Sequence, residues 1–277
     1  MKKILLIVIL LTISYNATIY YIDNYIANKD KTFTDSCSKV WSSRGLYNSH
    51  SEQNSITSID RAFHNGYTGV EVDFYFDIEM KKFIVSHNKP QFTSKGKLQY
   101  TLKNGKLLTL KELFIQTADK HYFWLDYKNL DKLSSEDTLN AINRLDQISQ
   151  IFNIKERIYI EGSNPFKLSQ YTQNGFKTIF AFSPLKESSI FSSISSNIYK
   201  IAYYLFDITA IAMPYGDIQN PKYSDITQKN LKNIPTFLFH IPSNKNLIQH
   251  LIKNNDIKVL LIGRDKSLNY SQFNECQ

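Results

Sequence analysis

Short runs of β-branched and aromatic residues recur along this chain, separated by amphipathic segments, and that alternation constrains the fold more than any other feature. The runs are KVWSSRG (39–45), GVEVDF (69–74), KFIVSH (82–87), YFWLD (122–126), RIYIE (157–161), KTIFAF (177–182), ITAIAM (208–213), PTFLF (235–239) and KVLLI (258–262). Few polar residues interrupt them, as expected of strands buried on both faces. Between them lie helical patterns. In SITSIDRAFHNG (55–66), Ile56, Ile59 and Phe63 recur at helical spacing and Gly66 supplies the stop. TLKELFIQTADK, SSEDTLNAINRLDQISQIF, NPFKLSQYTQNG and NKNLIQHLIKNN have the same character, and Ser134 with the acids behind it makes a good cap. Alternating β and α argues for parallel strands joined by crossover helices. The run at 82–87 follows its predecessor too closely for a crossover, so it must fold back as a hairpin. Eight parallel strands remain, the number in a (β/α)8 barrel; an open doubly wound sheet would show the same periodicity.

The chain's 277 residues divide at the N-terminus. Lys2 and Lys3 precede ILLIVILLTI, and no further charge appears until Asp23, leaving 19 uncharged residues from Ile4 to Ile22. A basic start followed by an apolar stretch reads as a signal peptide or signal anchor over 1–22, long enough to cross a bilayer. Ala17 is a poor cleavage site, so an uncleaved anchor is favoured. Because the lysines stay inside, the body of the chain is expected to be exported, either anchored at the extracytoplasmic face or secreted. Residues 23–38 read as a polar linker, and 39–277 as one α/β domain. Cys37 and Cys276 are the two cysteines; in an exported protein they form either a disulfide or two free thiols on the termini. The net charge of +8 favours anionic partners, but no basic run or aromatic RNA-binding pattern points to nucleic acid.

Two carboxylates, Glu71 and Asp73, lie on one strand at i and i+2, hence on one face of it. Asp126 and Glu161 end two further strands, and Lys128 follows Asp126 closely. Functional groups of barrels collect at the C-terminal ends of strands. An all-oxygen set made by Glu71, Asp73 and Asp126 suits one Mg²⁺ or Ca²⁺ ion rather than zinc. His87 closes the returning hairpin near this pair, where an imidazole could serve as general acid or base. The aromatics Tyr171, Phe176, Phe180, Phe182, Tyr203 and Tyr204 belong either to the core or to an apolar groove.

The stretch RGLYN…EQNSITSIDRAFHNGYTGVEVDFYFDIEMKKFIVSHN resembles the glycerophosphodiester phosphodiesterase family. That family reads His-Arg-Gly, Glu-Asn-Ser/Thr, Glu-x-Asp, His-Asp and Glu-x-Lys in this order. Here Ser43-Arg44-Gly45, Gln53-Asn54-Ser55, Glu71-Val72-Asp73, His87-Asn88 and Asp126-Tyr127-Lys128 stand in those places. The Leu-Asp-x-Lys form is also similar to sphingomyelinase D. The resemblance is dense over 43–128 and diffuse beyond. It implies a TIM (β/α)8 barrel of the phospholipase-C-like phosphodiesterase type, following the N-terminal apolar helix. It implies that Glu71, Asp73 and Asp126 bind one divalent cation, with Arg44 and Lys128 against the phosphate. His87 becomes one of the acid–base pair, and Asn54 and Glu161 are additional candidates. The family's first histidine falls on Ser43, whose hydroxyl cannot shuttle protons as imidazole does. His50, in the loop after the first strand, is a candidate substitute.

Three functions follow as expectations. The first is an exported metal-dependent phosphodiesterase cleaving glycerophosphodiesters or phospholipid headgroups. The second is an impaired relative that keeps the site for binding at the membrane. The third is a barrel glycosidase using Glu71 and Glu161, whose carboxylates would sit roughly 5–9.5 Å apart.

Overall fold

The computed structural model describes residues 2–29, 39–94, 97–103, 105–117, 121–263 and 273. In chain order the elements are α1 (Lys2–Asn28), β1 (Val40–Ser43), α2 (Ile56–His64), β2 (Gly69–Asp77), β3 (Lys82–Val85), β4 (Gln91–Phe92), β5 (Leu98–Gln99) and α3 (Leu110–Thr117). They continue with β6 (Tyr122–Tyr127), α4 (Ser135–Phe152), β7 (Ile158–Gly162), α5 (Pro165–Gln173), β8 (Lys177–Ala181), α6 (Ser192–Leu205) and β9 (Ala210–Pro214). Last come β10 (Gly216–Asp217), β11 (Asn220–Pro221), α7 (Asp225–Asn230), β12 (Thr236–Phe239), α8 (Lys245–Ile252) and β13 (Ile257–Ile262).

Strands β1, β2, β6, β7, β8, β9, β12 and β13 pair in parallel in that order, and the β1–β13 and β1–β2 pairings close them into a barrel. The open-sheet alternative is thereby excluded. Strand β3 runs antiparallel on β2, the hairpin that the short 82–87 spacing demanded. The two small hairpins β4–β5 and β10–β11, and the helices α6 and α7, were not anticipated.

Alternation along the strands sorts side chains into two cores. Trp41, Trp124, Tyr159, Ile179, Ala210, Ala212, Phe237, Val259 and Leu261 form one apolar cluster, fed by every barrel strand except β2. At β2 the inward position is Gly69, where a Cβ would collide with the ring of Trp41, so the missing side chain makes room for the indole. The opposite faces form the larger cluster between strands and helices, to which Val70, Val72, Leu125, Ile160, Tyr171, Phe176 and Tyr203 contribute. Most of the aromatics weighed as a groove are therefore core. Two residues beyond Trp41, Trp124 and Tyr159, the inward positions are Ser43, Asp126 and Glu161, so the barrel interior changes from apolar to acidic at its C-terminal mouth.

Helix α1 is longer than expected. It runs through Asn28, so residues 23–28, read as the start of a linker, are helical. The cause is tertiary: Ile22 and Ile26 are buried in the main cluster, Tyr15 accepts from Asn197 at 2.9 Å, and Asp23 pairs with Lys200 at 2.6 Å. Residues 30–38 with Cys37, and likewise Cys276, lie outside the described residues, as does any pairing between the cysteines.

Candidate active site at the barrel mouth

The turn after β1 is built on left-handed backbone. Arg44 has φ +59° and Gly45 φ +77°, and a Cβ on Gly45 would lie 2.5 Å from the Ser58 carbonyl carbon, so only glycine fits against the start of α2. Ser55 and Ser58 close a reciprocal cap on that helix, which anchors Asn54 just before it. Asn54 is itself left-handed at φ +55°, a conformation asparagine tolerates better than most residues. Its amide reaches β2: Nδ2 donates to Asp73 Oδ2 at 2.6 Å, and Oδ1 accepts the Asp73 N–H at 3.0 Å.

Glu71, Asp73 and Asp126 converge so that one carboxylate oxygen of each lies within 4.8 Å of the others. Arg44 Nε stands 3.0 Å from Asp73 Oδ2, and Lys128 Nζ is 2.5 Å from Asp73 Oδ1 while also bonding Asp126. Burial, then Asp73 and Asp126, push the Glu71 carboxyl up to about 8. Burial also raises Asp126, to about 6, with Lys128 opposing and Asp73 adding to the rise. Asp73 goes the other way: burial disfavours its charge, but Lys128 and Arg44 outweigh that and hold it below the usual carboxylate range. Three close carboxylates, two of them held back from ionising without further positive charge, are a donor set suited to a hard divalent cation.

Ser43 Oγ donates to Glu71 Oε2 at 2.7 Å, so the residue in the first histidine's place is tied to a candidate metal ligand. Glu161 bonds the Trp124 indole, and burial with Asp126 nearby raises its carboxyl well above the usual range. These groups line a cavity of about 350 Å³ together with Arg44, Lys128 and His240.

A second cleft, of about 490 Å³, shares Arg44 with the first and holds both His87 and His50, with Gln53, Asn88 and Lys103. His50 therefore sits on the His87 side of Arg44, not in the carboxylate cavity. Burial lowers the His87 pKa, against the pull of Asp73. The two departures from the family pattern have partners: Gln53 accepts from Arg44 at 3.4 Å, and Asn88 Oδ1 lies 3.4 Å from His87 Nδ1.

His240 was missed by sequence reasoning. It directly follows β12, at the strand end where barrel chemistry collects, and its φ of +50° is unusual for a non-glycine residue. Burial, then Arg44 and Lys222, lower its pKa. Its position one residue past the 235–239 run was the only available signal.

No protein-family model matches the chain, and no curated protein matches it in sequence. Solved structures do match in fold. One is a glycerophosphodiester phosphodiesterase from Parabacteroides distasonis ATCC 8503, with a TM-score of 0.58 and 15% identity over 85% of this chain and 96% of that one. Another, from Thermotoga maritima, has a TM-score of 0.56 and 18% identity, covering 84% and 96%. A third, from Agrobacterium tumefaciens str. C58, gives 0.56 at 9% identity, covering 86% and 99%. The chain thus has the TIM-barrel fold of solved glycerophosphodiester phosphodiesterases, over nearly their whole length.

Proposed function

We propose that this chain is a metal-dependent phosphoric diester hydrolase, exported and held at the membrane by α1, acting on glycerophosphodiesters or phospholipid headgroups. The observation that carries this reading is the convergence of Glu71, Asp73 and Asp126 within 4.8 Å beside Arg44 and Lys128, at the mouth of a barrel of this fold. Glu71, Asp73 and Asp126 would hold one Mg²⁺ or Ca²⁺. Such an ion, when bound, polarises a phosphoryl oxygen and offsets negative charge in the transition state. Arg44 and Lys128 would bind the diester oxygens, and Asn54 keeps Asp73 in place for both tasks.

Acid–base work falls to two imidazoles on either side of Arg44. His87, kept neutral by burial, suits removal of a proton from the attacking hydroxyl or water. His240 faces the carboxylate cavity and supplies the imidazole that Ser43 cannot. Its pKa is held down partly by Arg44 and Lys222; a bound diester would offset that positive field and let His240 carry the proton for the leaving oxygen. His50 remains a substitute from the His87 side.

The impaired-relative reading has one observation in its favour, the hydrogen bond that ties Ser43 to Glu71 at 2.7 Å. The glycosidase reading is weaker, because burial raises both Glu71 and Glu161 and neither is prepared as the ionised partner such a pair needs. The test is ³¹P NMR of a panel of phosphodiesters incubated with the wild type and with Ser43→His. Monoester or cyclic phosphate released by the wild type supports the hydrolase. Release by Ser43→His alone would favour the impaired relative.

A further inference from the structure

Helix α1 packs on the barrel through α6, and those contacts set its direction relative to the barrel mouth. Its contacts with α6 run in the same order along both helices: Tyr15 with Asn197, Asp23 with Lys200, and Lys29 with Asp207. The two helices are therefore parallel. Helix α6 leaves the end of β8 and runs back along the barrel, so its N-terminus lies at the mouth, the end that holds the carboxylates. The free part of α1, before Tyr15, must project past that same end. It is wholly apolar from Ile4 to Leu11 and exposed throughout, with Ile4 at 68% and Ile13 at 60%.

The mouth itself carries an apolar rim on the loop after β8, the first turn of α6 and the β10–β11 hairpin after β9. Leu185, Ile190, Phe191, Ile194 and Ile218 are all exposed there, Ile190 at 88% and Phe191 at 57%. Residues 2–14 of α1 make about 20 Å of helix, whereas a hydrocarbon core is about 30 Å thick. A helix that stays docked on α6 can cross only if the rim also sinks into the interface. Behind the rim a cleft of about 670 Å³, lined by Phe182, Ser183, Lys222 and His240 among others, adjoins the carboxylate cavity through Phe239 and His240.

We propose that the rim formed by Leu185, Ile190, Phe191, Ile194 and Ile218 inserts into the lipid bilayer that α1 enters, so that the catalytic mouth opens onto the membrane and takes its phosphodiester from a bilayer lipid. The choice of substrate rests on the hydrolase reading above; the orientation does not. Lys222, which donates to Ser183 Oγ at 2.5 Å, supplies a cation on the path from rim to site.

The test uses the full chain reconstituted in vesicles of phosphatidylglycerol and phosphatidylcholine, with brominated acyl chains as quenchers. A Phe191→Trp variant is compared with Ile151→Trp, at the far end of α4, while Trp41 and Trp124 stay buried in both. Strong quenching of Phe191→Trp only is the expected result. Equal or absent quenching overturns the orientation, and so does a dimer in detergent that buries the introduced indole in place of lipid. Turnover is then read on the vesicle lipid and on a water-soluble glycerophosphodiester. The double substitution Ile190→Asp with Ile194→Asp should cut vesicle turnover by about tenfold or more and leave the soluble substrate nearly unchanged. Equal effects on both substrates overturn the lipid assignment. Quenching of Phe191→Trp with no hydrolysis of either substrate would uphold the orientation, overturn the lipid-substrate assignment, and mean that the hydrolase reading has failed.

Discussion

Asn54 holds Asp73 at two points, donating from Nδ2 to the carboxylate at 2.6 Å and accepting the backbone N–H through Oδ1 at 3.0 Å. One side chain thus fixes both the strand and the acid that Arg44 and Lys128 share. Asn54→Ala leaves a buried N–H without its partner and puts alanine in a left-handed backbone conformation that asparagine tolerates better. The expected loss is about 2–3 kcal/mol in denaturant unfolding, together with weaker metal binding in calorimetry.

The Glu71 carboxyl titrates near 8, above its unfolded value, which sets the sign of two pH effects. In the metal-free protein its contribution to stability is full below the ordinary carboxylate range and is lost as pH rises through about 8. Glu71→Gln should therefore make the metal-free fold more stable at pH 8–9, by on the order of 1 kcal/mol, and flatten this part of the profile. Metal ligation needs the ionised form, so divalent-cation affinity should climb between about pH 6 and 8, with protons released on binding. Calorimetry in buffers of different ionisation enthalpy reads that release; no proton release would contradict the assignment of Glu71 as a ligand.

His240 and Ser43 make opposite predictions for the two leading readings. If His240 supplies the second imidazole, His240→Ala lowers kcat by about 10²–10⁴-fold and Ser43→His changes it little. An inactive wild type rescued by Ser43→His would mean that the chemistry was lost with the first histidine.

Packing inside the barrel gives a control far from the chemistry. Gly69→Ala forces a methyl against Trp41, which is itself packed against Tyr122, Tyr159 and Phe237. Overpacking there should cost about 1–3 kcal/mol in thermal unfolding while leaving the metal affinity of the folded protein unchanged.

Much of this architecture was legible because buried parallel strands advertise themselves: every barrel strand coincides with an apolar run, and the 82–87 hairpin followed from spacing alone. Helix α6 was not anticipated: Ile194, Ile198, Ile201 and Leu205 recur at helical spacing, but the face it buries carries Ser196, Asn197 and Lys200, which becomes comprehensible only with α1 lying against it. For the same reason the polar residues 23–28 read as linker until Asp23 found Lys200. At the site, the carboxylates stood out because buried strands seldom carry acids. His240 did not, because a single histidine after a strand has no neighbour in sequence to mark it; Arg44 and Lys222 approach it only through barrel closure.

Glu71, Asp73 and Asp126 are proposed to form a metal-dependent phosphodiester-cleaving site. The most direct measurement is hydrolysis of a soluble phosphodiester by the detergent-solubilised full chain, with Mg²⁺, with Ca²⁺ and with chelator, in wild type and Asp73→Asn. The expected result is turnover that chelator abolishes, that one of the two ions restores, and that falls by about 10²-fold or more in Asp73→Asn. Turnover that survives both chelator and Asp73→Asn would contradict it.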